Sequence, residues 1–322
     1  MRLCRYAIHD EVRVGFYDDD RVIPLSAVAD AFQGATDHDF GLSPGDDLLA
    51  YMPAGGPRHD DATVLSSWMA NLDPAELAAL ALPIAAVRLL VPIPRPPKIL
   101  LLAGNYAAHV IERGGTVAER EETFPYVFTK PPSTTLTHPG APVVIPASSP
   151  DHVDWEAELG VVIGRGGRDI AEADALGHVA GYTVVNDISD RKFTPNPGRK
   201  PRERDKYFDW LHGKWHDTFC PMGPCITSAD AIPDPQSLGV RLAVNGDPKQ
   251  DGNTGQMIFP VAAIIAFISR WVTLEPGDII STGTPSGVGS STGTYLKPGD
   301  TVVATVDRIG ALSNPVVAAG RG

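Results

Sequence analysis

The stretch DHVDWEAELGVVIG, residues 151–164, alternates polar and apolar side chains and then becomes almost wholly apolar. That pattern describes a strand that starts in a polar setting and runs into a core. Side chains two apart on a strand share a face, so Glu156 and Glu158 are neighbours of like charge. Burial raises the cost of keeping both ionised, and a bound cation would remove the conflict. The chain must either leave this face to water or build a cation site at the edge of its core.

Strand patterns also dominate the sequence around it. KILLLAG, YVFTK, PVVIP, GHVAGYTVVNDIS, VRLAVNGD, DIISTG and TVVATVD read as strands, and NYAAHVIER, AEADALGHVA and PVAAIIAFISRWV as helices. The two kinds do not alternate regularly, which disfavours a TIM barrel or a doubly wound sheet and favours an α+β domain on a folded mixed sheet. Upstream, LCRYAIH, VRVGFYD and RVIPL predict short strands, and LSAVADAFQ and DPAELAALAL predict helices. Pro92, Pro94, Pro96 and Pro97 favour an extended joint. The chain is therefore expected to divide into a small N-terminal α/β-mixed domain with its linker, residues 1–95, and a larger domain, residues 96–322.

Charge and cysteine usage narrow the partners. A formal net charge of -12, with no basic run interleaved with aromatics, argues against nucleic acid. The longest apolar stretch, MIFPVAAIIAFI, is too short for a bilayer, and the start lacks the apolar region of a signal peptide. A cytoplasmic protein without a membrane partner is expected. Cys4, Cys220 and Cys225 form neither a CxxC pair nor an even framework, so they read as reduced structural thiols. If the substrate is an anion, local cations must hold it.

A third carboxylate, Asp187, ends the apolar strand in YTVVNDISDR. With no histidine or cysteine nearby, Glu156, Glu158 and Asp187 make a hard, all-oxygen set that suits Mg²⁺, Mn²⁺ or Ca²⁺ better than zinc. Taken alone, a solvated strand face and a turn aspartate would look the same. In LLLAGNYAAHVIE a glycine turn leads into a helix with His109 and Glu112 three apart on one face. Glu112 can orient the imidazole as a general base, although a surface pair has the same spacing. Tyr106, at the same turn, is a candidate substrate contact. Lys130 ends an aromatic-rich strand, and Lys214 lies among Trp210, Trp215 and Phe219, so each ammonium either reaches for water or is held to meet an anion. Arg191 follows Asp187 closely enough to serve the same pocket. The glycine-rich STGTPSGVG lacks both the Walker ending and the dinucleotide spacing, and reads as backbone approaching a small ligand, with Thr284 as a hydroxyl partner, or as a plain connection.

In this order, GNYAAH, FTKP, WEAELGVVIG, NDISDR, GKWHDTFCPMGP, NGDPKQDGNTGQMIF and GDIISTGTPSGVG resemble the fumarylacetoacetate hydrolase family over about residues 95–318. The resemblance implies a mixed sheet folded into a roll, a homodimer, and Mg²⁺ or Mn²⁺ on Glu156, Glu158 and Asp187. It implies that His109 and Glu112 activate water on a lid-like segment, and that Lys130, Lys214 and Thr284 hold substrate oxygens or an oxyanion. The activity implied is cleavage of a C–C bond in a 2,4-diketo acid, an acylpyruvate or fumarylacetoacetate-like substrate. Decarboxylation or tautomerisation of oxaloacetate, isomerisation of a hydroxy-diene-dioate and hydrolysis of a diketo-deoxy sugar acid share the same start, and a catalytically silent binding protein is the non-enzymatic alternative. The water-activating pair leans toward hydrolysis, since decarboxylation needs no activated water. Many family members carry a glutamine where this chain has Thr194, and the charged segment 192–208 reads as a substrate-facing loop or a dimer contact.

Overall fold

The computed structural model describes residues 1–42, 45–117 and 120–320. The chain opens with an antiparallel meander, β1 (Arg2–Ile8), β2 (Glu11–Asp18) and β3 (Arg21–Pro24). Helices α1 (Leu25–Thr36), α2 (His59–Met69) and α3 (Pro74–Leu80) follow, then short strands β4 (Leu82–Pro83) and β5 (Arg88–Leu90). Beyond the prolines come β6 (Ile99–Ala103), α4 (Ala107–Glu112), β7 (Tyr126–Thr129), α5 (Pro132–Thr135), β8 (Leu136–Thr137) and β9 (Val143–Ile145). The central stretch holds β10 (Val153–Asp154), β11 (Ala157–Ile163), β12 (Val179–Asn186), β13 (Ser189–Asp190), α6 (Asp205–His212) and β14 (Cys220–Ser228). It ends with β15 (Gly239–Val244), β16 (Asp247–Asn253), α7 (Val261–Ser269), β17 (Ile279–Ser281), α8 (Gly289–Thr292), β18 (Thr301–Val306) and β19 (Gly310–Ala318).

The fold is α+β, on a mixed sheet that rolls against a second one. The larger sheet runs β4-β3-β2-β1-β14-β12-β11-β17-β6-β7, with β5 on β1 and β8 on β14. The smaller runs β16-β15-β18-β19-β9 and packs across β11, β12 and β14. Most pairs are antiparallel, but β6 and β17, β8 and β14, and β9 and β19 are parallel. The N-terminal meander joins the larger sheet directly, because β1 pairs with β14. The proline-rich joint is packed down rather than loose: Val91 and Ile93 are buried, and Arg5 donates to the Val91 carbonyl at 2.9 Å.

β11 and β12 lie at the centre, and every residue of both is buried. Leu159, Val161 and Ile163 face the smaller sheet with Val184, Leu242 and Val302. Val162 and Val185 face the other way, toward a second cluster that includes Val28 of α1 and Leu65 of α2. With both faces covered, the polar ends of these strands are where chemistry can sit. Two local differences from sequence expectation follow from this packing. AEADALGHVA forms only a 3₁₀ segment, Glu172–His178, because the chain is drawn into β12, where Val179 pairs with Ile163. The helix in NYAAHVIER stops at Glu112, since Gly114 takes the left-handed conformation that ends it. Part of segment 192–208 is also helical, as α6 starts at Asp205 and Arg199 pairs with Asp205 and Asp209.

Leu159→Ala would leave a hole between the sheets where the side chain is 0% exposed. It is expected to cost about 2–5 kcal/mol, read as a lower urea midpoint by circular dichroism. A midpoint within error of the wild type would mean that the sheets close over the gap or that this side chain does not join them.

Candidate active site

The two strands that form the centre of the larger sheet also deliver its carboxylates. Glu158 lies on β11, Glu156 one residue before it, and Asp187 one residue past β12. The turn is pinned by backbone, with the Glu156 amide on Asn186 Oδ1 at 3.0 Å and the Asp187 amide on the Glu156 carbonyl at 2.9 Å. Each of the three residues offers one oxygen to a buried cluster whose atoms lie within 4.8 Å of one another.

Cations surround this cluster, but not evenly. Lys214 Nζ donates to Glu156 Oε2 at 2.8 Å and also to Asp187. Arg191 bridges Asp154 at 2.7 Å and Glu156 at 2.5 Å. Lys130 pairs with Asp187 at 2.5 Å and is otherwise spent on the carbonyls of Ile188 and Phe219. Asp154, Glu156, Glu158 and Asp187 thus present four buried carboxylates to three cations. The one left over is Glu158, whose partners are neutral: Ser281 Oγ at 2.5 Å and the Gly283 amide at 3.0 Å.

The electrostatics follow this inequality. Burial works against a charged Glu156, yet Arg191 and Lys214 prevail and hold its carboxyl well below the ordinary range. Burial, with Asp187 and Glu156 beside it, pushes Glu158 well above that range. Burial likewise opposes the Lys214 charge, but Asp187 and Glu156 raise its pKa. A divalent cation among Glu156, Glu158 and Asp187 would supply the positive charge that Glu158 lacks, so the donor set fits a hard metal ion.

A cavity of about 250 Å³ opens beside the cluster, lined by Glu156, Glu158, Arg191, Lys214, Thr284 and, from α4, His109. His109 Nδ1 meets Glu112 Oε1 at 2.7 Å, and the other Glu112 oxygen accepts the Gly287 amide at 2.9 Å. The glycine-rich segment therefore serves the candidate side chains: Gly283 reaches Glu158 and Gly287 reaches Glu112. A side chain at Gly287 would stand 2.1 Å from the Lys249 carbonyl, and its φ is +101°, so only glycine fits. Four candidates lie outside the cavity lining: Glu112 and Asp187, which stand behind His109 and the carboxylate cluster, and Lys130 and Tyr106. Lys130 is buried and faces Asp187, while the buried Tyr106 hydroxyl makes no hydrogen bond among the described residues.

Residues 98–317 match the profile of the fumarylacetoacetate (FAA) hydrolase C-terminal domain. The chain belongs to the fumarylacetoacetate hydrolase family. It is 45% identical over 233 residues to oxaloacetate tautomerase fahd2, mitochondrial, of Xenopus laevis, covering 72% of this chain and 69% of that protein. Among solved structures, 5-carboxymethyl-2-hydroxymuconate delta-isomerase from Mycobacterium smegmatis is 32% identical, with a TM-score of 0.69 and all of both chains covered. Maleylpyruvate hydrolase from Sphingobium sp. SYK-6, in complex with manganese(II) and pyruvate, is 31% identical, with a TM-score of 0.69, covering 99% of this chain and 100% of that one. These members of the fumarylacetoacetate hydrolase family are named for three different reactions, so membership does not select among them.

Three contributors escaped the sequence reading. Gln250 accepts from the Ala157 amide at 2.9 Å and donates to Thr284 Oγ1 at 2.8 Å, which in turn donates to the Ala157 carbonyl. Asp154 accepts from the Gly289 amide at 2.6 Å and the Ser290 amide at 3.0 Å, tying the glycine-rich segment to Arg191. Arg113 lines the cavity from the end of α4. Gln250 lies in a motif that carried the resemblance, while Asp154 continues the acidic alternation of Glu156 and Glu158.

Glu158→Ala is expected to weaken Mn²⁺ binding by at least about a hundredfold, measured by calorimetry, with the circular dichroism spectrum unchanged. Unaltered affinity would place the ion elsewhere.

Proposed function

We propose that this chain is a divalent-metal enzyme that interconverts the enol and keto forms of a 2-oxo acid, with oxaloacetate as the first substrate to try. The observation that carries this reading is His109, held by Glu112 at 2.7 Å and lining the same cavity as Glu158 and Lys214. The 45% identity to a protein named oxaloacetate tautomerase supports it. A cavity of about 250 Å³ suits a small acid better than an extended one.

With Nδ1–H donated to Glu112, the Nε2 lone pair of His109 is available to take a proton. Nε2 removes the proton from the C2 hydroxyl of the enol. The oxygen electron pair closes to C2=O, and the former double-bond pair takes a proton at C3 from Nε2 of the His109 imidazolium, which returns to the neutral ring. Glu112 keeps the ring oriented and stabilises it while it carries the charge. Lys214 offers its ammonium to the oxygen on which negative charge develops. A divalent ion held by Glu156, Glu158 and Asp187 supplies Lewis acidity toward the 2-oxo group. Mg²⁺ and Mn²⁺ both suit three carboxylates, and the manganese in the maleylpyruvate hydrolase structure makes Mn²⁺ worth testing beside Mg²⁺.

A second reading has its own support. The same imidazole can take a proton from water, and attack of that water on the distal carbonyl of a 2,4-diketo acid would release pyruvate and a carboxylic acid. The relative solved with manganese and pyruvate is named as a hydrolase.

The test follows Mg²⁺-dependent loss of enol absorbance for oxaloacetate, acetylpyruvate and fumarylpyruvate, with products identified by mass. Faster enol loss from oxaloacetate without a change in mass is the expected result. Pyruvate and a free acid from a diketo acid, with oxaloacetate untouched, would move the assignment to hydrolysis. His109→Ala is expected to lower kcat by about 10²–10⁴ while pyruvate binding stays within about twofold of wild type. Full activity in that variant would mean another group moves the proton.

A further inference from the structure

The cations around the cavity differ in what remains free to bind a ligand. Lys214 is shared between Glu156 and Asp187, Arg191 between Asp154 and Glu156, and Lys130 lies behind Asp187. The Arg113 guanidinium makes no direct hydrogen bond or ion pair with a described residue, although Glu156, Asp154 and Glu112 lie near enough to act on it as charges. It caps α4, four residues on from His109, and the two side chains line one cavity. The carboxylate nearest in sequence, Glu112, is already taken by His109 and the Gly287 amide. Burial against the cavity wall, with Arg191 as a like charge, pulls the Arg113 guanidinium below its ordinary pKa. A guanidinium at a cavity wall whose N–H groups have no direct partner is available to an incoming anion, and its planar fork matches a carboxylate in two parallel hydrogen bonds.

We propose that Arg113 binds the carboxylate at the far end of the substrate, so that the cavity selects 2-oxo dicarboxylates over 2-oxo acids with a neutral tail. The proposal rests on the reading that this cavity takes a 2-oxo acid, and adds the second carboxylate to it. One end of the substrate is then placed by the carboxylate cluster and Lys214, and the other by Arg113. His109, on the same helix as Arg113, faces the carbons between.

Trp210 also lines the cavity, so its fluorescence reports occupancy without turnover. Mg²⁺-loaded wild type, Arg113→Gln and Arg113→Lys are titrated with pyruvate, which has one carboxylate, and oxaloacetate, which has two. Wild type is expected to bind oxaloacetate at least about tenfold more tightly than pyruvate, the scale of a charge-assisted contact. In Arg113→Gln that ratio falls to about one through loss of oxaloacetate affinity alone, and Arg113→Lys recovers part of it. An unchanged ratio in Arg113→Gln, or equal weakening toward both acids, would overturn the proposal. Equal binding of both acids by wild type would overturn the role of Arg113 and leave the 2-oxo acid reading standing. Binding of neither acid would overturn both.

Discussion

The unequal count of buried charges at the ends of β11 and β12 is the constraint around which the rest of the molecule is arranged. Four carboxylates and three cations are withdrawn from water together, and Glu158 meets only a hydroxyl and an amide. Buried ion pairs of this kind add little net stability, because the desolvation of both partners offsets most of their attraction. The network is therefore better understood as positioning. It holds Glu156 ionised, Glu158 poised for a cation, and two ammonium groups and a guanidinium at fixed places around them.

The His109–Glu112 pair is attached to this frame through the glycine-rich segment. Gly283 donates to Glu158, Gly287 to Glu112, and Gly289 and Ser290 to Asp154. One short run of backbone thus registers the carboxylate-bearing strand, Arg191 and the His109–Glu112 pair against one another. Thr284, within the same run, is braced by Gln250 from the smaller sheet, so the second sheet also fixes the site. A shift of that loop would disturb all of these contacts at once.

The carboxylate cluster was legible in the sequence because it depends on two short-range rules. The period of two put Glu156 and Glu158 on one face of a strand, and the apolar run before Asp187 marked a strand end. His109 and Glu112 were legible for the same reason, since three-residue spacing on a helix brings side chains together. What the sequence hid was long-range. Gln250 matters through Thr284, 34 positions away, and Asp154 through Gly289, 135 positions away. Lys130 looked like a substrate contact because it ended an aromatic strand, but its ammonium is turned inward to Asp187 and two carbonyls. The joining of β1 to β14 was likewise hidden, as no local signal tells a strand which distant edge it will extend.

The site also separates what is constant from what can vary. The candidate metal-holding carboxylates sit on or next to the ends of the central strands of a sheet buried on both faces, where a change in side-chain volume would be felt throughout the core. His109 and Arg113 sit instead on a six-residue helix and its cap, between a glycine turn at Gly104 and a second at Gly114. A helix that short draws little stability from its own hydrogen bonds and depends on contacts such as Glu112 with Gly287 for its place. Substitutions there would leave the carboxylate cluster intact. Tautomerase, isomerase and hydrolase names among relatives of one fold are compatible with such an arrangement, in which a rigid carboxylate cluster stands beside a short helix that can vary.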